Sequence, residues 1–164
     1  MLKKICIIFL SVITLLLTGC NMRGEEYKTP DRQAEDDLII VIDSINNQDT
    51  LSIKKLLSDY VIDNNNNIDL AIDEMLGFID GEIVSYDEPF GSACGSIEKK
   101  DTGAKIEHFT TDKGTKYYIA TKQWHRYDEH PEQEGIYNIT VKNLSELSKN
   151  PDSEEAVFRL NEHT

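Results

Sequence analysis

The sequence predicts an α+β domain in which three helices are followed by a bent antiparallel sheet of about four strands, with the helices packed on one face of the sheet. Three observations predict it. Upstream of Gly81, apolar residues recur at spacings of three and four, the period of a helix buried along one side. Downstream they alternate in twos, the period of a half-buried strand. The change of period falls inside one stretch, Met75 to Gly95 (MLGFIDGEIVSYDEPFGSACG), where a helix, a glycine stop and a first strand succeed one another. The 164 residues carry no repeat and no second block of composition, so one domain is expected.

The first nineteen residues do not belong to that domain. Lys3 and Lys4 precede an apolar run, Ile5 to Leu17, that is too short to span a bilayer and has the make-up of a signal peptide. It ends in Leu17-Thr18-Gly19-Cys20, which resembles a bacterial lipobox, in which small residues precede a cysteine that is diacylated on sulfur once the peptide is cut before it. The resemblance implies lipid attachment at Cys20, a membrane partner through that lipid, and a location on the extracytoplasmic face of the cell membrane. Residues 20–33 then read as lipidated cysteine and tether, 34–143 as the domain, and 144–164 as a mostly solvated tail in which Ala156 to Leu160 allow a helical turn. Of three cysteines, Cys6 leaves with the leader and Cys20 carries lipid, so Cys94 has no intramolecular partner and reads as a small residue in a Gly-rich turn.

The formal charge is −13, and loss of residues 1–19 takes away two lysines and no acid, giving −15. A field of that sign repels phosphate backbones and anionic headgroups, which argues against nucleic acid and favours neutral or cationic ligands and basic partner segments.

In order along the chain, Thr29-Pro30-Asp31 supplies a hydroxyl cap, a proline whose missing N–H costs nothing in a first turn, and an acid at the positive end of the dipole. Leu38, Val41, Ile42 and Ile45 make the stripe of the first helix, which breaks at Asn47-Gln48-Asp49. A short second helix capped by Asp49 or Thr50 is expected to bury Ile53, Leu56, Leu57 and Tyr60. The third starts with Asn66 or Asn67 as cap and carries Ile68, Ile72, Met75, Leu76 and Ile79 to Gly81, which suits a left-handed stop. The strand EIVSYD follows, ended by Pro89 and Gly91. Ala104 to Asp112 and Lys116 to Tyr127 form a hairpin about Asp112-Lys113-Gly114-Thr115, and Gly135 to Asn143 alternates as the last strand.

This order of elements, with the helix ending in FxDG and the strand EIVSYDEP, resembles the nuclear-transport-factor-2-like, or cystatin-like, cone fold. The segments LGFIDGEIVSYDEPFGS, TDKGTKYYI and HPEQEGIYNI look like a family of small lipoproteins of unknown function from gut Gram-positive bacteria, across about Ala34 to Asn143. The resemblance implies a cone-like domain and brings no catalytic residues with it.

Candidate chemistry is sparse. Asp87 and Glu88 are adjacent acids, but neighbours on a strand face opposite ways and Pro89 makes them turn residues. Asp63, Asn65, Asn67, Asp69 and Glu74 fall on calcium-loop places one, three, five, seven and twelve, yet place six is Ile68 where the sharp turn needs glycine. His108, His125, His130 and His163 have no zinc spacing, and there is no nucleophile motif or phosphate loop. No catalytic residue, metal or cofactor is therefore assigned. Tyr118 and Trp124 share a strand face by parity and Tyr86 can join them across the sheet, either lining a ligand pocket at the open end of the cone or packing under the helices as core. The expected function is a non-catalytic module that binds a small ligand or an envelope protein. The alternative is a cone-fold isomerase or hydrolase working through a pocket acid or histidine.

Overall fold

A computed structural model describes residues 28–160; the leader, Cys6, Cys20, most of the tether and His163 lie outside the described residues. The first helix, α1 (Pro30–Asn47), turns Ala34, Leu38, Val41, Ile42 and Ile45 inward along one stripe. It stops where Gln48 takes a left-handed conformation, with its backbone N–H and its side-chain amide both donating to the carbonyl of Ile45.

The expected second helix is two. α2 (Thr50–Leu56) begins on Asp49, whose carboxylate accepts from the Ser52 N–H, and α3 (Asp59–Asn64) begins on Ser58, whose hydroxyl accepts from the Val61 N–H. Between them Leu57 is extended and the Ser58 N–H donates to the Ile136 carbonyl at 3.0 Å. A strand carbonyl thus replaces the helical partner, and Tyr60, expected inside, is turned outward and exposed. α4 (Ile68–Phe78) follows with Asn67 at its cap and Ile68, Ile72, Met75 and Leu76 buried. Ile68, the residue in place of the calcium-loop glycine, opens this helix and lies in the core.

The sheet has six antiparallel strands instead of about four: β1 (Ile83–Tyr86), β2 (Phe90–Gly95), β3 (Lys99–Thr111), β4 (Lys116–Tyr127), β5 (Gly135–Asn143) and β6 (Val157–Leu160). β1 and β2 pair in succession along one edge of the long β3, and β4, β5 and β6 continue from its other side. Two expectations are corrected here. The Gly-rich segment holding Cys94 is strand β2 rather than a turn, with Cys94 opposite Asp101. The expected tail contributes a short helix, α5 (Leu144–Leu147), and β6, whose Leu160 is buried opposite Ile139. Bulges between Ile83 and Ser85, Lys100 and Asp101, Ile106 and Phe109, and Lys122 and Gln123 interrupt the ladders, the device by which strands bend.

One core lies between the layers. Leu38, Ile42, Ile45, Ile53, Ile72 and Met75 of the helices meet Ile106, Phe109, Tyr117, Ile119, Ile136 and Ile139 of the sheet. Full burial of each aliphatic side chain is worth about 2 kcal/mol. The switch from helix to sheet is pinned at three points. The Tyr117 hydroxyl accepts from the Asp80 N–H at 2.9 Å. The Asn46 amide both donates to and accepts from the backbone of Ile83 (3.1 and 2.8 Å), as a neighbouring strand would. Gly81, at φ +101°, lies so close to the Asp112 carboxylate that a Cβ would overlap it, while that carboxylate accepts from the Glu82 N–H at 3.0 Å.

Candidate functional site

Because successive strand residues point to opposite faces, burying Tyr117, Ile119, Thr121 and Gln123 of β4 under the helices puts Tyr118, Ala120, Lys122 and Trp124 on the other side. On β3, Thr102, Ala104 and Ile106 are buried, so Asp101, Gly103 and Lys105 share that outer face. Register brings the two sets together: Lys105 opposite Ala120, Gly103 opposite Lys122, Asp101 opposite Trp124. β2 adds Phe90 opposite Lys105, Ser92 opposite Gly103 and Cys94 opposite Asp101. The result is a solvent-open hollow of about 310 Å³ among β2, β3 and β4, with Gly103 and Ala120 between the larger walls Phe90, Lys105, Tyr118 and Lys122.

Four rings on this face, Phe90, Tyr118, Trp124 and Tyr127, are each accompanied by an ammonium group. Lys105 Nζ lies 5.7 Å from the Phe90 ring centre and Lys142 Nζ 5.2 Å from that of Tyr118, while Lys105 also pairs with Glu107 at 2.6 Å. At the Asp101 end, Trp124 stacks on Tyr137 (5.7 Å between centres) and tilts against Tyr127 (5.3 Å). Lys99 Nζ lies 4.6 Å from the Trp124 ring and 4.3 Å from that of Tyr127, and donates to the Tyr127 hydroxyl at 3.2 Å. Such contacts are worth about 0.5–1 kcal/mol when exposed, enough to hold a lysine in place without consuming its charge.

Titration at this end is governed by burial. Desolvation raises the Asp101 carboxyl above its ordinary value, against the hydrogen bond it accepts from Tyr137 (3.4 Å) and the pull of Lys122 and Lys99. Tyr137 is pushed up to about 12, first by desolvation and then by the Asp101 charge and the bond to it, so its hydroxyl remains a donor. Lys105 is held above, and Glu107 below, their ordinary values by the hydrogen bond between them.

The three aromatic residues singled out in the sequence are not brought into one pocket. Tyr118 walls the hollow. Trp124 stands six residues further along β4, about 20 Å at strand spacing, in its own stack. Tyr86 pairs with Phe109 on β1, eight residues along β3 from the partner of Trp124, or about 26 Å. Phe90, Lys99, Tyr127 and Tyr137 complete the face instead. Phe90 and Lys99 lie in or beside a segment with little strand signal, and Tyr137 reaches Trp124 only through the register of β5.

Two polar clusters lie elsewhere. Asp87 and His108 pair at 2.8 Å on an exposed edge. Under α1, the Gln123 amide, 2% exposed, donates to Asp37 at 3.0 Å. Burial raises the Asp37 carboxyl, with Asp36 adding to the rise and Gln123, His125 and Lys28 opposing it. Gln123 Oε1 and His125 Nδ1 are buried there without a partner. His130 pairs with Glu132 at 3.1 Å, edge-on to Tyr127. Among the described residues no three His, Cys, Asp or Glu side chains are grouped as a metal site would need.

No curated protein matches the chain. The family model of a domain of unknown function, DUF5104, matches residues 40–147, a span that runs from within α1 to the end of α5 and includes every residue of the hollow. The chain belongs to that family.

Proposed function

We propose that this protein is a lipid-anchored binding module of the bacterial cell envelope that captures its ligand on the outer face of the sheet without carrying out chemistry on it. The observation that carries the reading is the hollow between Phe90 and Tyr118, on the side of the sheet the helices leave uncovered. Phe90, 63% exposed, and Tyr118 border the hollow together, so the apolar surface here is shared by two rings and not a single exposed side chain. The cone-like, nuclear-transport-factor-2-like shape and the gut Gram-positive source belong to the same proposal, supported by four helices preceding a bulged sheet and by the lipobox-like Leu17-Thr18-Gly19-Cys20. Trp124 is the only tryptophan of the chain and lies on the same face, so its fluorescence reports binding. Titration with envelope glycans, peptides and metabolites is expected to change that emission, and Tyr118→Ala to abolish the response. Emission changes that persist in Tyr118→Ala would place the ligand elsewhere. For the anchor, Cys20→Ala is expected to abolish incorporation of labelled fatty acid and to leave an unprocessed precursor. Equal labelling of that variant would remove the anchor from the proposal.

A second reading, a cone-fold isomerase or hydrolase, is favoured by one feature: Asp37, with its raised carboxyl, within the field of a His125 whose Nδ1 is buried and unpaired. It requires a turnover that Asp37→Asn and His125→Gln both abolish while Tyr118→Ala leaves it unchanged.

A further inference from the structure

Resting on the reading of the outer face as the binding face, we propose that its ligand is an anionic glycan, a chain of sugar units bearing carboxylate or phosphate groups. The chain as a whole is strongly acidic, which on net charge alone argues the opposite. The charge is unevenly placed, however. Residues 29–82 hold thirteen Asp or Glu against three Lys or Arg, whereas residues 83–143 hold ten against eight. Four of those eight, Lys99, Lys105, Lys122 and Lys142, surround one hollow and its aromatic end. The acids among them are engaged: Asp101 accepts from the Tyr137 hydroxyl, Glu107 is tied to Lys105, and the Glu134 carboxylate accepts from the Tyr127 N–H. Among the described residues Lys122 and Lys142 make no ion pair.

Distance decides which field a ligand feels. Packed layers stand about 10 Å apart, and charges are screened over about 10 Å at 0.1 M salt. A ligand on the outer face at that ionic strength therefore responds to the lysines beneath it more than to acids on the far side of the helices. At about 0.01 M the screening length grows to about 30 Å, and the net negative charge reasserts itself.

The geometry selects among anions. Lys122 and Tyr118, the residue Lys142 accompanies, are four residues apart on β4, about 13 Å. A chain with repeated charges suits two lysines anchored that far apart along the sheet. A peptide laid flat here would find the backbone N–H and C=O groups of β3 and β4 already paired within the sheet, leaving its own amides without a ladder to join. Nucleic-acid bases stack on open ring faces, and Trp124, the largest ring here, is already stacked on Tyr137 and lies beside Lys99. A sugar ring needs neither: its hydrocarbon face can lie over Gly103 and Ala120 while its hydroxyls stay wet or reach Ser92.

The test follows Trp124 emission of the full-length chain in an uncharged detergent at about 0.1 M salt, with polygalacturonate, neutral dextran, poly-glutamate, single-stranded oligodeoxynucleotide and anionic phospholipid vesicles as probes. Polygalacturonate is expected to bind, dextran not to. Lys122→Glu and Lys142→Glu, exposed and half-buried surface changes, are each expected to weaken binding roughly tenfold with unchanged thermal midpoints, and binding should decline both at higher salt and at about 0.01 M. Dextran binding as tightly as polygalacturonate would overturn the anionic requirement while leaving the binding face intact. Poly-glutamate, oligonucleotide or vesicles binding as tightly would overturn the glycan and keep the charge. No response to any probe would overturn this inference, and failure of the wider ligand screen as well would take the binding face with it.

Discussion

The two faces of β4 send alternate residues of one strand into opposite surroundings. Tyr117, Ile119, Thr121 and Gln123 point beneath the helices and are buried; Tyr118, Ala120, Lys122 and Trp124 point away and remain half-buried or exposed. Tyr117 and Tyr118 are adjacent and chemically identical, yet the first stacks on Phe109 at 5.1 Å and holds the Asp80 N–H, whereas the second borders an open hollow beside Lys142. Composition cannot separate two such residues. Their facing does, and it divides the strand into a half packed in the core and a half open to solvent.

The sharpest way to break this division is to truncate each tyrosine. Tyr117→Ala is expected to destabilise the domain by about 3–5 kcal/mol, since it removes a fully buried ring and leaves a cavity, and to orphan the Asp80 N–H. Tyr118→Ala is expected to stay within about 0.5 kcal/mol, as surface changes do, while losing ligand response. Urea denaturation of both variants checks it. Equal losses would mean that the outer face is structural as well.

A smaller effect is expected at the switch into the sheet. Gly81→Val imposes a β-branched residue on a positive φ and drives a Cβ into the Asp112 carboxylate that caps Glu82. The expected cost is about 1–3 kcal/mol, read as a lower denaturation midpoint. Gly114, also at positive φ but with open space around it, provides the control: Gly114→Asn is expected to cost less than about 1 kcal/mol. A Gly81 variant no worse than that control would show that this approach can relax.

The same contrast explains what the sequence discloses. Buried stripes such as Leu38–Val41–Ile42–Ile45, and the alternation from Gly135 to Asn143, are legible because one side of each element must be apolar. β2 is not, because Phe90-Gly-Ser-Ala-Cys-Gly is poor in strand formers and is a strand only by pairing with β3. Its Gly91 is required for a tertiary reason: the Asp31 carbonyl of α1 occupies the place a Cβ would take, and the Gly91 N–H donates to Glu35 at 2.9 Å. β6 is hidden because four residues after an acidic run resemble a tail until β5 offers an edge. Ser58 fits a helix interior or a cap equally well, and only the Ile136 carbonyl decides. For the outer face, parity places Tyr118 and Trp124 together, but the lysines beside the rings and the Trp124–Tyr137 stack depend on the register of strands far apart in sequence. Net charge has the same limit: it sums over faces that a ligand meets one at a time, so it does not give the charge of any one of them.

The least effect, and the finest test of the inner half, concerns Asp37. Its carboxyl is raised above the ordinary Asp value of 3.8 chiefly by burial, so the folded chain holds more of this proton than the unfolded chain does. Stability must then fall as pH climbs from about 3.8 through the raised folded-state value, where the unfolded chain ionises freely and the folded one resists. Asp37→Asn removes this dependence. It keeps an oxygen to accept from the Gln123 amide and adds an N–H₂ group that can reach the unpaired Gln123 Oε1. The variant is therefore expected to gain on the native protein as pH rises from about 3.5 to 7, by a shift in thermal midpoint that is small because Asp37 is only partly buried. Asp36, His125 and Lys28 face the same group and are present in both proteins, so the difference between the two pH profiles reports on position 37. A difference that is flat with pH, or that grows in favour of the native protein, would mean that water already reaches Asp37 and that the polar cluster beneath α1 is open rather than enclosed.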